Sequence, residues 1–305
     1  MKPAPFEYVR PRTVEETVAA LAEAADAKLL AGGQSLIPLL SMRLAAPATL
    51  VDLNRVEELA YVRTDDDGVR IGALARHAQV ERDDAAAARQ PLLRQALTLV
   101  AHPTIRNRGT TVGSIAHADP AAELPAVLTV LGGTVTTRSA SGTRQIGAAD
   151  FFVGPLECAL RPDELVTEIR VPARGPTSGT AIREISRRHG DYALVGVAAV
   201  VDVDGDSGEV TSARAGYFSV ADTPVVLDLT GTVDSGPSWD RACEHAMAAL
   251  DPIGDIHASA DYRRHLIGVL TRRALAAAHA ELSATIRARG RIDADNSAEG
   301  RGSDG

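Results

Sequence analysis

Residues 13–26, TVEETVAALAEAAD, place Val14, Val18, Leu21 and Ala25 on one face at helical spacing, and Thr13 with Glu16 forms a capping box at the start. KLLAGG then reads as a short buried strand that ends in Gly32-Gly33. Ser35 stands where it can cap a helix beginning at Leu36, with Pro38 tolerated in the first turn. TLVDL, residues 49–53, is a second strand. Helix, strand, helix and strand in this order make a small α/β unit.

The following block is mixed. GVRIGAL and TVTTR read as strands, residues 91–100 as a helix, and LPAVLTVLG as a helix with Pro125 in its first turn. Between them RNRGTTVGSIAHADP reads as a long polar, glycine-containing loop. DELVTEIRV closes the block as a strand. TSGTAIREISRR, YALVGVAAVVDVD and EVTSARAGYFSV look like strands of a meander, with Asp-Gly and Ser-Gly pairs near 204–208 marking a hairpin. SWDRACEHAMAAL and ADYRRHLIGVLTRRALAAAHAEL are helices, and residues 289–305 read as a disordered tail. A separate α+β domain therefore begins near residue 176.

Composition narrows the function. The chain has 305 residues, long enough for two or three domains, and 45% of them are hydrophobic. Aromatics are only 3%, so Ala, Val and Leu carry the core. A net charge of −8 argues against general nucleic-acid binding. The two cysteines, Cys158 and Cys243, form no CxxC, so cysteines alone cannot build an iron–sulfur or zinc site here. They read as buried thiols in a reducing cytoplasm. The first residues hold no apolar stretch of signal-peptide length, and the longest apolar run, Ala193–Val201, is too short for a bilayer, so stable membrane insertion is not expected.

Two stretches carry candidate chemistry. Gly32-Gly33 is neither a P-loop nor a GxGxxG, and a plain tight turn explains it as well as an anion site does. Gln34 and Ser35 add donors without adding charge. The stretch 104–125, TIRNRGTTVGSIAHADPAAELP, is too polar for a core and too long for a turn. It offers Thr110, Thr111, Gly113 and Ser114 as a second donor-rich loop, followed by Asp119 and Glu123 ahead of a helix. Two such loops suit a ligand with two phosphates, and a dinucleotide such as FAD fits.

Together the two stretches resemble the FAD-binding medium subunit of the molybdenum hydroxylases, the family of aerobic carbon monoxide dehydrogenase, related to the flavin domain of xanthine dehydrogenase. AGGQSLIPLLSMRLAAPATLVDLNRV and IRNRGTTVGSIAHADPAAELPA resemble its two flavin loops, RRHGDYALVGVAA a third stretch beside the flavin, and ASADYRRHLIGVLTRRAL its C-terminal helix. The likeness extends to about residue 288. It implies an α+β protein: a two-part FAD-binding domain of the vanillyl-alcohol-oxidase/PCMH type, then a C-terminal α+β domain with an antiparallel sheet and helices. The parts are a small α/β unit (1–56), a mixed α/β unit (57–175) and the last domain (176–288). It also implies that Lys28, Leu29, Leu30, Ala31, Gly32, Gly33, Gln34 and Ser35 line FAD, completed by Thr110, Thr111, Gly113, Ser114, Asp119 and Glu123, with Asp191 and Tyr192 near the isoalloxazine. The family often has Gly-Gly where Val112-Gly113 stands here, so no phosphate contact is carried onto Val112.

The implied partners are an iron–sulfur small subunit and a molybdenum-cofactor large subunit, in a heterohexamer of paired trimers. The implied role is electron transfer from a partner's [2Fe–2S] clusters through FAD to an external acceptor, with no catalytic side chain and no metal site of its own. A self-contained flavoenzyme of related fold and an FAD-less interaction protein are the competing readings. Arg106, Arg108 and His117 could meet a phosphate or a partner, or be ordinary surface or loop groups. Arg263, Arg264, Arg272 and Arg273 are expected on the wet face of the last helix.

Overall fold

The computed structural model describes residues 2–233 and 238–299, with only the backbone path for 283–299. Its first unit is a parallel three-stranded sheet. The strand Thr49–Asp52, buried at every position, lies between Glu7–Val9 and Ala27–Leu30. Glu7–Val9 has no apolar alternation to announce it and is held by main-chain pairing at the sheet edge. The helix Val14–Glu23 buries Thr17, Val18 and Leu21. Thr13 Oγ1 accepts from the Glu16 N–H at 3.1 Å, but Glu16 reaches back to the Arg12 N–H at 2.7 Å, one residue before the cap.

The second unit is an antiparallel sheet of five strands in the order Val62–Asp65, Gly68–Gly72, Leu165–Pro172, Thr134–Ser139 and Gly142–Gly147. Helices His77–Arg82, Pro91–Leu97, Thr111–His117 and Glu123–Val130 belong to this unit. The expected long polar loop is largely helical. It holds the short helix Pro103–Arg106 and then Thr111–His117, which Thr110 caps by accepting from the Gly113 N–H at 3.2 Å. Val112, Ile115 and the half-buried Ala116 give this helix a narrow apolar side, too short to show a period.

The third unit is an antiparallel meander of Ser178–Ser186, Ala193–Val203, Val210–Phe218 and Val225–Asp228, with the expected hairpin at Asp204–Gly208. Its central strand works on both faces. Val197, Ala199 and Val201 join a core with the helices Asp240–Ala249 and Ala260–Glu299, whereas Ala198 and Val200 join the core of the first two units. A run apolar at almost every position is what a strand buried on both faces requires. The last helix continues past residue 288, so the expected disordered tail falls partly on helical backbone. Residues 300–305 lie outside the described residues.

Two arginine expectations are corrected here. Arg263 is 7% exposed and is not on a wet face: its guanidinium donates to the Leu194 and Ser219 carbonyls and to Asp255. Arg272 and Arg273 are exposed as expected, and Arg264 is half-buried with its guanidinium donating to Asp251 at 2.7 Å. Arg106 is buried too, with Nε on Glu81 at 2.8 Å and Nη1 on the Val100 carbonyl at 3.0 Å, so it anchors the 103–109 segment. Both cysteines are free thiols, Cys243 buried and Cys158 half-buried. Among the described residues no helix is long and apolar enough to cross a membrane.

Candidate cofactor site

The strand Ala27–Leu30 delivers the chain to Gly32-Gly33, and the helix Leu36–Met42 leads it away. Gly33 has φ +73°, which glycine adopts without strain. Gly32 is needed for a different reason. A Cβ there would lie 2.6 Å from the Arg108 carbonyl oxygen and 2.7 Å from the Gly109 Cα, so the two glycine stretches touch backbone to backbone. Ser35 occupies the N-cap position of Leu36–Met42 but makes no cap hydrogen bond, so its hydroxyl is not consumed by the helix.

Between the two stretches lies a cavity of about 590 Å³. Of the residues expected at the site, Lys28, Leu29, Ala31, Gly32, Gly33, Gln34 and Ser35 line it from the first unit. Thr110, Gly113, Ser114, Asp119 and Glu123 line it from the second, and Asp191 and Tyr192 from the third. Leu30 and Thr111 are not on its wall. Thr111 is fully buried, with its hydroxyl 3.3 Å from His77 Nδ1. Val112 faces the cavity only as part of the apolar core, at 2% exposure. Gly113 is required locally, because a Cβ would sit 2.4 Å from the Thr110 hydroxyl that caps the helix.

The cavity has two chemistries. The glycine stretches bring donors to its wall, and Leu39, Val100, Leu156, Leu160 and Val166 bring apolar surface. Such a mixed lining suits a ligand that carries both an apolar ring and polar groups. Lys28 is the basic residue on the wall, so an anionic ligand would be met chiefly by N–H and hydroxyl groups.

The electrostatics of the wall are shaped by burial. Burial, and then the Asp119 carboxylate, pushes Glu123 up to about 7. Behind it Glu184, from the meander, is pushed up to about 8 by burial and by Glu123, and its Oε2 has no hydrogen-bond partner. His77, on the wall, is driven down to about 4 by burial and by Arg106, so it is neutral. His117 is also lowered by burial. Sequence reasoning missed His77 and Glu184. Neither belongs to a glycine stretch, and only the packing of separate units makes them neighbours of the cavity. Among the described residues no group of three or more His, Cys, Asp or Glu is placed to hold a metal ion.

Comparison with known proteins agrees with this architecture. Residues 4–174 match the FAD binding domain in molybdopterin dehydrogenase, and residues 180–278 the CO dehydrogenase flavoprotein C-terminal domain. The chain is 41% identical to the 6-hydroxypseudooxynicotine dehydrogenase complex subunit alpha of Paenarthrobacter nicotinovorans, covering 91% of this chain and 96% of that one. Among solved structures it superposes on carbon monoxide dehydrogenase from Hydrogenophaga pseudoflava with TM-score 0.86 at 36% identity, covering 92% and 99% of the two chains. Quinoline 2-oxidoreductase from Pseudomonas putida 86 gives TM-score 0.87 at 35% identity, covering 92% and 98%. The α+β arrangement of the units is that of a PCMH-type FAD-binding domain followed by the flavoprotein C-terminal domain. The chain belongs to the FAD-binding medium-subunit family of the molybdenum hydroxylases.

Proposed function

We propose that this chain binds FAD non-covalently in the cavity between the glycine stretches and relays electrons from a partner's [2Fe–2S] cluster to an external acceptor. The observation that carries the reading is the convergence of three separate sequence stretches on one cavity lined by both donor-rich glycine stretches and apolar side chains. In this reading Gly32–Ser35, Gly113 and Ser114 hold the diphosphate, and Asp119 and Glu123 meet hydroxyl groups. Asp191 and Tyr192 border the ring. Leu30 and Thr111 support the wall from behind. FAD supplies the redox chemistry, and the chain supplies position, exclusion of water and local charge.

The partners in this reading are an iron–sulfur subunit and a molybdenum-cofactor subunit, paired as two trimers in a cytoplasmic complex. Their substrate binds in the molybdenum subunit. The relatives' names range from 6-hydroxypseudooxynicotine to carbon monoxide dehydrogenases, so this chain's own sequence does not select a substrate.

The test begins with the purified chain. It is expected to be yellow, and acid precipitation is expected to leave the flavin in the supernatant. A colourless protein that takes up no FAD on titration would overturn the reading. Photoreduced protein should pass electrons to an acceptor dye but hydroxylate nothing without its partners. Substrate hydroxylation by the single chain, with metal contamination excluded, would overturn the assignment to an electron-transfer role.

A further inference from the structure

Carbonyl groups from the two glycine stretches are held by one connected set of side chains. Asn54 Nδ2 donates to the Ala31 carbonyl of the first stretch at 2.9 Å. Arg76 sends one arm of its guanidinium to Asn54 Oδ1 at 2.6 Å and another to the Arg108 carbonyl of the second stretch at 2.5 Å. The backbone around Arg76 is paired with that same stretch: the His77 N–H donates to Gly109 O at 2.9 Å, and the Thr111 N–H donates to Ala75 O at 3.1 Å. Behind Asn54, Asp52 accepts from the Asn54 main-chain N–H at 3.0 Å and from its Nδ2 at 2.5 Å. The other oxygen of Asp52 accepts from the Tyr8 hydroxyl and lies 3.5 Å from Arg10 Nε. None of Asp52, Asn54 and Arg76 lines the cavity.

The bridge spans the point at which the two stretches meet. Gly32 leaves no room for a methyl group against Arg108 O, so the separation of the stretches is fixed at a contact as well as by the bridge. A ligand that draws on both stretches is sensitive to that separation, because ordering them on binding would subtract from affinity. Guanidinium is suited to the task. Its planar fork serves two acceptors at once, whereas an ammonium is a single flexible point of charge.

We propose that Arg76 and Asn54 are positioning residues for FAD: a bridge outside the cavity that sets the two glycine stretches at diphosphate spacing before the cofactor arrives. This rests on the reading that FAD occupies the cavity. Wild-type apo-protein that binds no FAD would overturn that reading, and the bridge would fall with it. The outcomes below address the bridge alone.

The experiment titrates apo-protein with FAD, AMP and FMN, and records thermal unfolding of each variant. Arg76→Met keeps the stem and removes the fork. It should weaken FAD about 10- to 100-fold, the loss expected when charge-assisted hydrogen bonds are removed. AMP and FMN carry one phosphate each and need only one stretch, so each should weaken less than about 3-fold. Arg76→Lys should fall between wild type and Arg76→Met. Asn54→Ser, a milder change, should show the same selectivity and keeps the test available if Arg76→Met does not fold. The double variant should be no worse for FAD than the worse single one, since both remove one strut. Leu21→Ala, in the core away from the cavity wall, should lower the melting temperature while leaving FAD affinity within about 2-fold. FAD affinity unchanged in Arg76→Met and Asn54→Ser would overturn the proposal. So would equal losses for all three nucleotides, or fully additive losses in the double variant.

Discussion

The two glycine stretches face one cavity but are built in opposite ways. In the second, the polar groups are largely used by the protein. The Thr110 hydroxyl accepts from the Gly113 N–H, the Thr111 hydroxyl lies against His77, and the N–H groups of Thr111 and Ser114 donate to Ala75 O and Thr110 O. In the first, Ser35 stands at a helix N-cap and makes no cap bond. The second stretch commits its threonine hydroxyls to the fold and leaves only Ser114 open on the cavity wall, whereas the first holds Ser35 in reserve. Residues of the same chemical type therefore serve different ends. Hydroxyls already committed to main-chain partners stabilise the fold, and uncommitted ones are the better candidates for a ligand.

The largest expected effect lies in the scaffold stretch. Arg106 is buried against Glu81, the Val100 carbonyl and the Ala101 carbonyl. Removing one member of a buried pair strands the other, so Arg106→Ala should cost about 3 kcal/mol in urea unfolding. Charge reversal at Arg106 should prevent folding rather than merely weaken assembly with a partner. Arg108 is exposed, and its reversal should change stability by less than about 0.5 kcal/mol. A soluble, stable Arg106→Glu protein would refute the anchoring role.

Next comes the cap. Thr110→Ala removes the acceptor for the Gly113 N–H and should cost about 1 kcal/mol. Asn at the same position can accept the same bond and should restore most of the loss. Equal stability of the Ala and wild-type proteins would show that water replaces the cap without cost, and the contrast between the stretches would lose its basis.

How far this contrast was legible in the sequence depends on the length of each element. Helix Val14–Glu23 and the strand Ala193–Val203 are long enough for their apolar patterns to identify them. The stretch 104–119 reads as loop because its helices span four and seven residues, shorter than a recognisable period. The site residues were legible mainly as motifs. Their division into committed and uncommitted hydroxyls was not, because it depends on His77, Ala75 and the other stretch. Arg76 gave no signal, and Asn54 stood only as one residue near the end of a matched stretch. Their link joins four segments distant in sequence, around residues 31, 54, 76 and 108, and each residue alone resembles an ordinary surface polar group.

Beyond the second stretch, the contrast becomes electrostatic. Glu123 is raised to about 7 and Glu184 to about 8, both mainly by burial, from an ordinary 4.5. Folded protein therefore binds more protons than unfolded protein in this window. Stability of the ligand-free chain should be full below about pH 4.5, as far as this pair is concerned, and should fall as pH rises through about 8. Glu184→Gln keeps the shape and removes the titration. It should flatten the decline, read as urea midpoints at about pH 5 and about pH 8.5. An unchanged pH slope would mean that both carboxyls are already ionised and hydrated near neutrality.

The smallest effect on stability belongs to Ser35, and it tests the contrast most directly. Its hydroxyl has no cap bond to lose, so Ser35→Ala should change unfolding free energy by less than about 0.5 kcal/mol. If the hydroxyl is held for the diphosphate, the same variant should weaken FAD about 10-fold, the value of one hydrogen bond to a charged acceptor. Thr110→Ala should behave in the reverse sense, losing stability first and affinity only through loosening of the helix it caps. Unfolding and FAD titration on the two variants therefore form a crossed pair. Ser35→Ala that destabilises the chain yet binds FAD normally would make the first stretch a scaffold as well. The ligand's diphosphate would then have to be held by main-chain N–H groups, Ser114 and Lys28 instead of by the Ser35 hydroxyl.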